Sequence, residues 1–440
     1  MTVTSTSTLA KDPNVAVPPL PANTTSPLDG LVGVFSSMKL SVVLVLILTA
    51  LTWLGTLAQV ERSTFEVQRE YFESWFVLAQ LPLSVWGNPL FTLVIPLPGA
   101  YPVMGLLFVN LLVGGLVRMR WQLRNAGILV THFGIAFLLV AGFVKMHYSY
   151  SGSLALYEKA SDGNAVPGRV YESSRFVSFH DFELALLVDK GDTIEERVVS
   201  EHALHGARDG VVRLSPEGLP FTLEVSNWVD HARALPKGPM VSSPFEPIDG
   251  VVLQPQSWPK GEQPRSEAEI AGCYVKVVTK GGEPIRGILW GFPRLPFEEA
   301  RYPFSFTVDG QRYGLDLRHV VSDLPFSVRL DKFQKLDHPG TMSPRDFRSF
   351  VSVQDSVQRQ DAQIFMNNPL RRDGFVVYQT SWGPQPMGGP PWYSVFEVSF
   401  NPSDMWPMIA CWVIAGGLLL HFVAKLWRFL QSSTRAALQG

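Results

Sequence analysis

Four stretches of this 440-residue chain contain no Asp, Glu, Lys or Arg: residues 40–59, 74–117, 125–144 and 405–424. A helix needs about 20 apolar residues to cross a hydrocarbon core about 30 Å thick, because each residue rises about 1.5 Å. Leu40–Gln59, Ala126–Val144 and Met405–Ala424 meet that requirement unaided. In the longest window, Tyr101–Val117 meets it and stops at Arg118. Its first half, Ser74–Leu97, carries Pro82, Gly87, Asn88, Pro89 and Pro96, with Pro98 just beyond. A helix so interrupted leaves backbone groups unpaired in lipid. We expect this segment to be interfacial or re-entrant.

Between the third and fourth uncharged stretches the pattern changes period. Arg175–Val188, Phe221–Val229, Phe326–Leu330, Phe375–Tyr378 and Tyr393–Phe400 alternate apolar and polar residues over short runs. That alternation predicts strands with one buried face. Asp309-Gly310, Pro339-Gly340, Asp373-Gly374 and Asn401-Pro402 supply turns between them. Pro236–Pro264 is Pro-rich without periodicity and predicts a long loop or insertion.

The predicted architecture is an α-helical membrane protein with four transmembrane helices. A large β-rich extracytoplasmic domain lies between spans three and four. In residue ranges, a disordered cytoplasmic tail covers 1–35 and a membrane domain covers 36–146. The membrane domain has helices at about 39–59, 100–118 and 126–145 and the interfacial segment 74–98. The β-rich domain covers 147–404, the fourth helix 405–427 and a cytoplasmic tail 428–440.

Charge orients this arrangement. Arg118, Arg120 and Arg124 lie between spans two and three, and Lys425, Arg428 and Arg435 follow span four. Four spans place both clusters and both termini on the cytoplasmic side, as the bias of basic residues requires. A fifth span at 74–97 would reverse the first cluster. The formal net charge of −2 then divides into +6 inside and −8 outside. The first span starts late for a cleaved secretory signal, so an uncleaved anchor in the plasma (inner) membrane is expected. The near-neutral total gives no sign of a nucleic-acid partner.

Chemistry-bearing residues are few. Cys273 and Cys411 form neither a CxxC pair nor a disulfide framework, and Cys411 is expected to be a small buried residue of span four. His202 and His205 sit in a polar stretch and read as surface histidines. His180, His231, His319 and His338 share no pattern, although folding can bring two together. No nucleophile, zinc spacing or phosphate loop is present, so no catalytic residue is assigned. The two intramembrane imidazoles, His132 and His421, require a reason, because polar groups in lipid are costly. His132 lies about 9 Å and His421 about 6 Å from the cytoplasmic boundary. A neutral imidazole is a good ligand for haem iron, and hydrogen bonding to a neighbouring helix is the competing role.

Several segments together resemble the ResB family, membrane proteins of System II cytochrome c biogenesis. They are Ser37–Leu57, Tyr71–Phe76 (YFESWF), Asn110–Arg118 (NLLVGGLVR), His132–Gly134 (HFG) and Asn368–Trp382 (NPLRRDGFVVYQTSW). The resemblance implies a subunit that binds haem b in the membrane and helps deliver it to apocytochrome c outside the cytoplasm. It further implies a multi-span partner of the ResC/CcsA type that supplies a tryptophan-rich haem platform, which this chain lacks. On that basis His132 is the proposed axial ligand and the site of contact with haem iron. The second ligand is expected from the partner, with His421, the other intramembrane histidine, as the local candidate. The chain itself is expected to be a non-catalytic subunit, with haem ligation belonging to the complex. The alternatives are a non-haem membrane-anchored scaffold and a small-solute transporter. The second fits poorly with four spans that contain no carboxylate and no paired broken helices.

Overall fold

The uncharged runs form helices and the alternating runs form strands. The computed structural model describes residues 27–60, 62–85, 88–117, 119, 121–159, 169–256, 270–279, 281–291, 303–341, 343–384 and 392–437. Helix α1 (Pro27–Phe35) precedes α2 (Met38–Ala58), and α3 (Thr64–Val67) follows as a single turn. Ser63 accepts a hydrogen bond from the Glu66 amide and so starts α3. Strands β1 (Phe76–Val85) and β2 (Asn88–Pro98) come next, then α4 (Ala100–Asn110), which continues as a π-helix over Leu111–Val117. Helix α5 (Ala126–Tyr148) completes this part. Four helices, Met38–Ala58, Ala100–Val117, Leu123–Tyr148 and Trp406–Ser433, are long and apolar enough to cross a membrane.

Two segments gain detail here. The tail expected to be disordered over 1–35 is helical at Pro27–Phe35, while residues 1–26 lie outside the described residues. Segment 74–98 is an antiparallel hairpin in which β1 pairs with β2 from Phe76↔Pro98 to Val85↔Asn88. In β1, Val77 and Ala79 are buried while Phe76 and Leu78 are exposed. The prolines that forbid a helix here are tolerated because both strands have a free edge, where a missing N–H costs no ladder bond.

The β domain begins with β3 (Tyr150–Tyr157), β4 (Glu172–Asp189) and β5 (Ile194–Ser200), then the turn α6 (Glu201–Leu204). Strands β6 (Val211–Leu214), β7 (Phe221–Val229), β8 (Ala232–Pro236) and β9 (Val251–Pro255) follow. After them come β10 (Gly272–Thr279), β11 (Ile285–Trp290), β12 (Phe304–Val308) and the long β13 (Gln311–Asp337). The last strands are β14 (Pro344–Gln354), β15 (Arg359–Phe365), β16 (Leu370–Arg372), β17 (Phe375–Gly383) and β18 (Tyr393–Phe400). Helix α7 (Trp406–Ala437) ends the described chain.

Among the described residues the main sheet runs β15-β14-β13-β4-β3-β18-β17-β16, with β12 added to β13 and β5 to β4. A second sheet runs β11-β10-β7-β6. One core is built around Leu184, Leu186, Leu315 and Leu317 of the first sheet and Leu223, Val225, Val275 and Val277 of the second. Another gathers Leu156, Phe326, Val328, Val351, Val377 and Phe396. Strand β13 serves both: its first half pairs with β4 and its second with β14. The turns read from sequence are present. Asp309-Gly310 and Asp373-Gly374 each have positive φ at both residues, the conformation of a tight hairpin between twisted strands.

Two further segments gain detail and one expectation, the burial of Cys411, is corrected. Part of the Pro236–Pro264 loop is ordered pairing, with β8 and β9 registered from Ala232↔Pro255 to Pro236↔Val251; residues 257–264 lie outside the described set. Helix α7 continues past the span expected at 405–427 and runs to Ala437, because Lys, Arg, Leu and Gln end an apolar run without ending a helix. Cys411 is exposed on α7, not buried. Cys273 is buried in β10, and burial pushes its thiol up to about 12.

The chain divides into two compact units. The first comprises Met1–Thr49, Pro102–Ala136 and Val413–Gly440, the second Ala50–Tyr101 and Phe137–Trp412. Within the first, buried Asn110 ties α4 to the α1–α2 junction. Its amide donates to the carbonyls of Phe35 at 2.7 Å and Ser37 at 3.1 Å, and its oxygen accepts from Ser41 Oγ at 2.6 Å. The Phe35 carbonyl closes α1 and has no intrahelical partner, whereas the Ser37 carbonyl also accepts from the amides of Leu40 and Ser41. Asn110→Leu keeps the volume but leaves the Phe35 carbonyl and the Ser41 hydroxyl without this partner. It is expected to cost about 2 kcal/mol, measured as a lowered unfolding midpoint of the full chain in detergent, with Ser41→Ala costing less.

Candidate functional site

The first unit builds its site from α5 outward. The Nδ1 atom of His132 lies 2.8 Å from the carbonyl of Ile128, one turn earlier. A carbonyl only accepts, so Nδ1 carries a proton, and a neutral ring in this orientation would keep its lone pair on Nε2. That is the tautomer a metal-ligating histidine needs, with its other nitrogen held by a backbone carbonyl.

The ring faces Gly115 in the π-helical turn after α4. A Cβ at Gly115 would lie 2.5 Å from His132 Cδ2 and 3.3 Å from Nε2. Only glycine permits this approach. The neighbouring Gly114 plays a similar part against α1, where a Cβ would sit 3.3 Å from Ser36 Cα. A π-helical turn adds a residue to the helix circumference, and such turns recur at functional sites. Here Leu111–Val117 presents its glycines to α1 and α5.

His421 occupies a different place. Helices α5 and α7 meet through glycines: a Cβ at Gly127 would lie 2.5 Å from the His421 amide nitrogen. A Cβ at Gly417 would lie 2.6 Å from the Thr131 amide nitrogen. Gly134 similarly abuts Ile414. Gly127 is level with His421 and Thr131 with Gly417, so the His132 position lies about 7 Å further along the helix axis than His421. His132 turns to Gly115, whereas the ring beside His421 is Phe422. The structure thus gives both histidines to one bundle without pairing their rings.

In chemical terms His132 offers one imidazole nitrogen, Nε2, on a ring held by the Ile128 carbonyl and packed against Gly115. This donor fits haem iron as one axial ligand. Among the described residues no group of three or more His, Cys, Asp or Glu is arranged to hold a metal ion. The sequence pointed to His132 but not to Gly115, Gly127 or Gly417. Their signal was the pairs Gly114-Gly115 and Gly416-Gly417 inside apolar runs, where glycine weakens a helix unless packing requires it.

In the second unit two of the scattered histidines meet. Strand β4 bulges against β13, since His319 pairs with Phe182 but Val321 pairs with Val177. The extra residues carry His180 and Asp181 into a cavity of about 670 Å³ that His231 also lines. His202 is exposed, as expected for a surface residue, and its ring lies 5.2 Å from that of the part-buried His205. His319 is buried behind the bulge, 4.1 Å from the Phe182 ring. Burial, then the nearby His180, pushes its imidazole down to about 4.

Comparison with known proteins locates the resemblance. Over 114 residues the chain is 30% identical to Protein NrfI of Wolinella succinogenes, a stretch that is 26% of this chain and 11% of that relative. The chain therefore spans only a small part of the curated relative it matches. Residues 305–390 match the model of the ResB-like family. That segment runs from β12 to the end of β17 and contains the Asn368–Trp382 motif; the other four motifs lie outside it. The likeness to the ResB-like family read from short motifs is thus matched independently in the β domain, over residues 305–390.

Proposed function

We propose that this chain is a membrane subunit of a cytochrome c assembly complex that binds haem through Nε2 of His132. In this reading it helps deliver haem to apocytochrome c on the far side of the membrane. The observation that carries it is the held imidazole: Nδ1 committed to Ile128, and the ring seated against Gly115, where no side chain would fit, so that Nε2 remains the nitrogen for a metal. The ResB-like match supports the biogenesis setting. The membrane setting is supported by the exteriors of the long helices, where Leu419, Phe422 and Trp427 of α7 are more than half exposed. Such surfaces belong against lipid or another apolar helix. The chain would lie in the inner membrane with both termini cytoplasmic and the β domain outside. A ResC/CcsA-type partner would supply the second haem ligand and the ligation chemistry.

The test is a reporter c-type cytochrome scored by haem staining in cells that depend on this chain. His132→Ala is expected to reduce covalent haem by about tenfold or more, the usual loss when a metal site is disturbed. Exogenous imidazole is expected to restore part of it. Unchanged staining at equal chain abundance would favour the non-haem scaffold. His421→Ala is expected to reduce staining less.

A further inference from the structure

Helix α3 follows α2 directly and holds the β domain by two consecutive side chains, each meeting a histidine. The Phe65 ring stacks on His180 with centroids 3.9 Å apart and planes 11° from parallel. A carboxylate oxygen of Glu66 lies 3.5 Å from His231 Nε2. The two histidines come from separate places, the β4 bulge and the β7–β8 turn. We propose that these contacts form a pH-sensitive latch that fixes α3 to the β domain when the histidines are protonated and loosens it when they are neutral. The latch stands independently of any haem chemistry.

Both contacts change in the same direction with charge. A protonated His231 turns a weak polar contact into an ion pair with Glu66. A protonated His180 adds a cation–π attraction to its stack on Phe65. The surroundings are net acidic. From α3 and the turn after it come Glu66, Glu70 and Glu73, against Arg69 from the same segment and Arg62 from just before α3. Arg62 is paired with Glu70, and Arg69 sits over Phe65 at 5.7 Å. Asp181 comes from the β4 bulge, and Asp230 precedes His231. Glu201 and Arg208 come from α6 and the turn behind it. Arg208 is engaged by Asp230 at 2.6 Å and by Glu201 at 3.8 Å. Behind the bulge, His319 stays neutral above about pH 5, since its proton is lost near 4. Positive charge gained by His180 or His231 therefore meets an excess of carboxylates.

The sign follows from each partner. Glu66 is held below the ordinary carboxylate range, first by its hydrogen bond to His231. Its contribution is present above that range and lost as pH falls through it. The imidazole contribution is present while His180 and His231 carry their protons and is lost as rising pH removes them. The latch is tightest between these limits.

Hydrogen exchange of residues 64–72 in the full chain in detergent, corrected for intrinsic exchange at each pH, reads the latch directly. From pH 5.5 to pH 8 the wild-type protection factor is expected to fall roughly three- to fivefold, the worth of a part-exposed ion pair. His231→Lys, charged at both values, is expected to abolish most of that fall. His231→Gln is expected to give low protection at both. Equal protection of the β10 and β13 core amides verifies that each variant is folded. A wild-type factor that does not change with pH would overturn the proposal. So would a His231→Gln profile that follows the wild type.

Discussion

Gly417→Leu is expected to separate α5 from α7. A Cβ at this position would lie 2.6 Å from both the amide nitrogen and the hydroxyl of Thr131, and 2.8 Å from the Gly127 carbonyl. Two of those three atoms are backbone, which cannot turn aside as a flexible side chain can. The helices must move apart, and helices that associate without a hydrophobic driving force depend on such close backbone approach. A loss of at least about 2 kcal/mol is expected, the scale of overpacking. It would be measured as a shift in detergent- or heat-induced unfolding of the full chain. Gly416→Leu is the control. Nothing lies within 4 Å of a Cβ there, and leucine favours helix over glycine by up to about 1 kcal/mol. The two adjacent glycines are thus expected to respond with opposite sign. Equal losses at both would mean that α5 and α7 do not pack as described.

Gly115→Val is expected to displace the His132 ring with little loss of fold. The first added carbon would meet the ring at 2.5 Å, and the obstacle is a side chain free to rotate about χ1. Rotation breaks the Nδ1 bond to Ile128 and with it the fixed direction of Nε2. Losing the group that orients a ligating histidine typically weakens metal binding by about 10–100-fold. Haem retained by the purified complex is expected to fall by that order while unfolding changes little. Gly105→Val, in the same helix with open space beside it, is expected to leave haem retention unchanged. Full retention in Gly115→Val would separate the glycine from the site.

The sequence was most informative where one physical demand dominates. Leu40–Gln59 and Ala126–Val144 carry no charge over the length of a span, and both are helices. Phe221–Val229 and Tyr393–Phe400 alternate, and both are strands with those ends. Local turn chemistry was equally direct at Asp309-Gly310 and Asp373-Gly374. Competing signals hid the rest. In Ser74–Leu97 the prolines excluded a helix, but uniform apolarity masked the two-residue period of a hairpin. At α7 the charges of Lys425 and Arg428 ended the apolar run while local propensity carried the helix on. The π-helical turn after Asn110 has no clear local signature beyond its glycine pair. For the candidate site the sequence supplied the imidazole and its place in an apolar helix. The cradle is tertiary, because Gly115 and His132 lie on different helices. The cavity histidines are more remote still. His180 and His231 meet Phe65 and Glu66 only because β4 bulges and a strand turn brings His231 to the same wall.

The central claim is that the Nε2 nitrogen of His132 ligates haem iron. The most direct measurement is the visible absorption spectrum of the chain co-purified with its ResC/CcsA-type partner, wild type beside His132→Ala. Wild type is expected to show a haem Soret band with the features of histidine ligation. The variant is expected to lose most of that band and to regain it with added imidazole, which supplies the missing nitrogen. A wild-type complex without haem, or a His132→Ala complex with an unchanged spectrum and no response to imidazole, would contradict the claim.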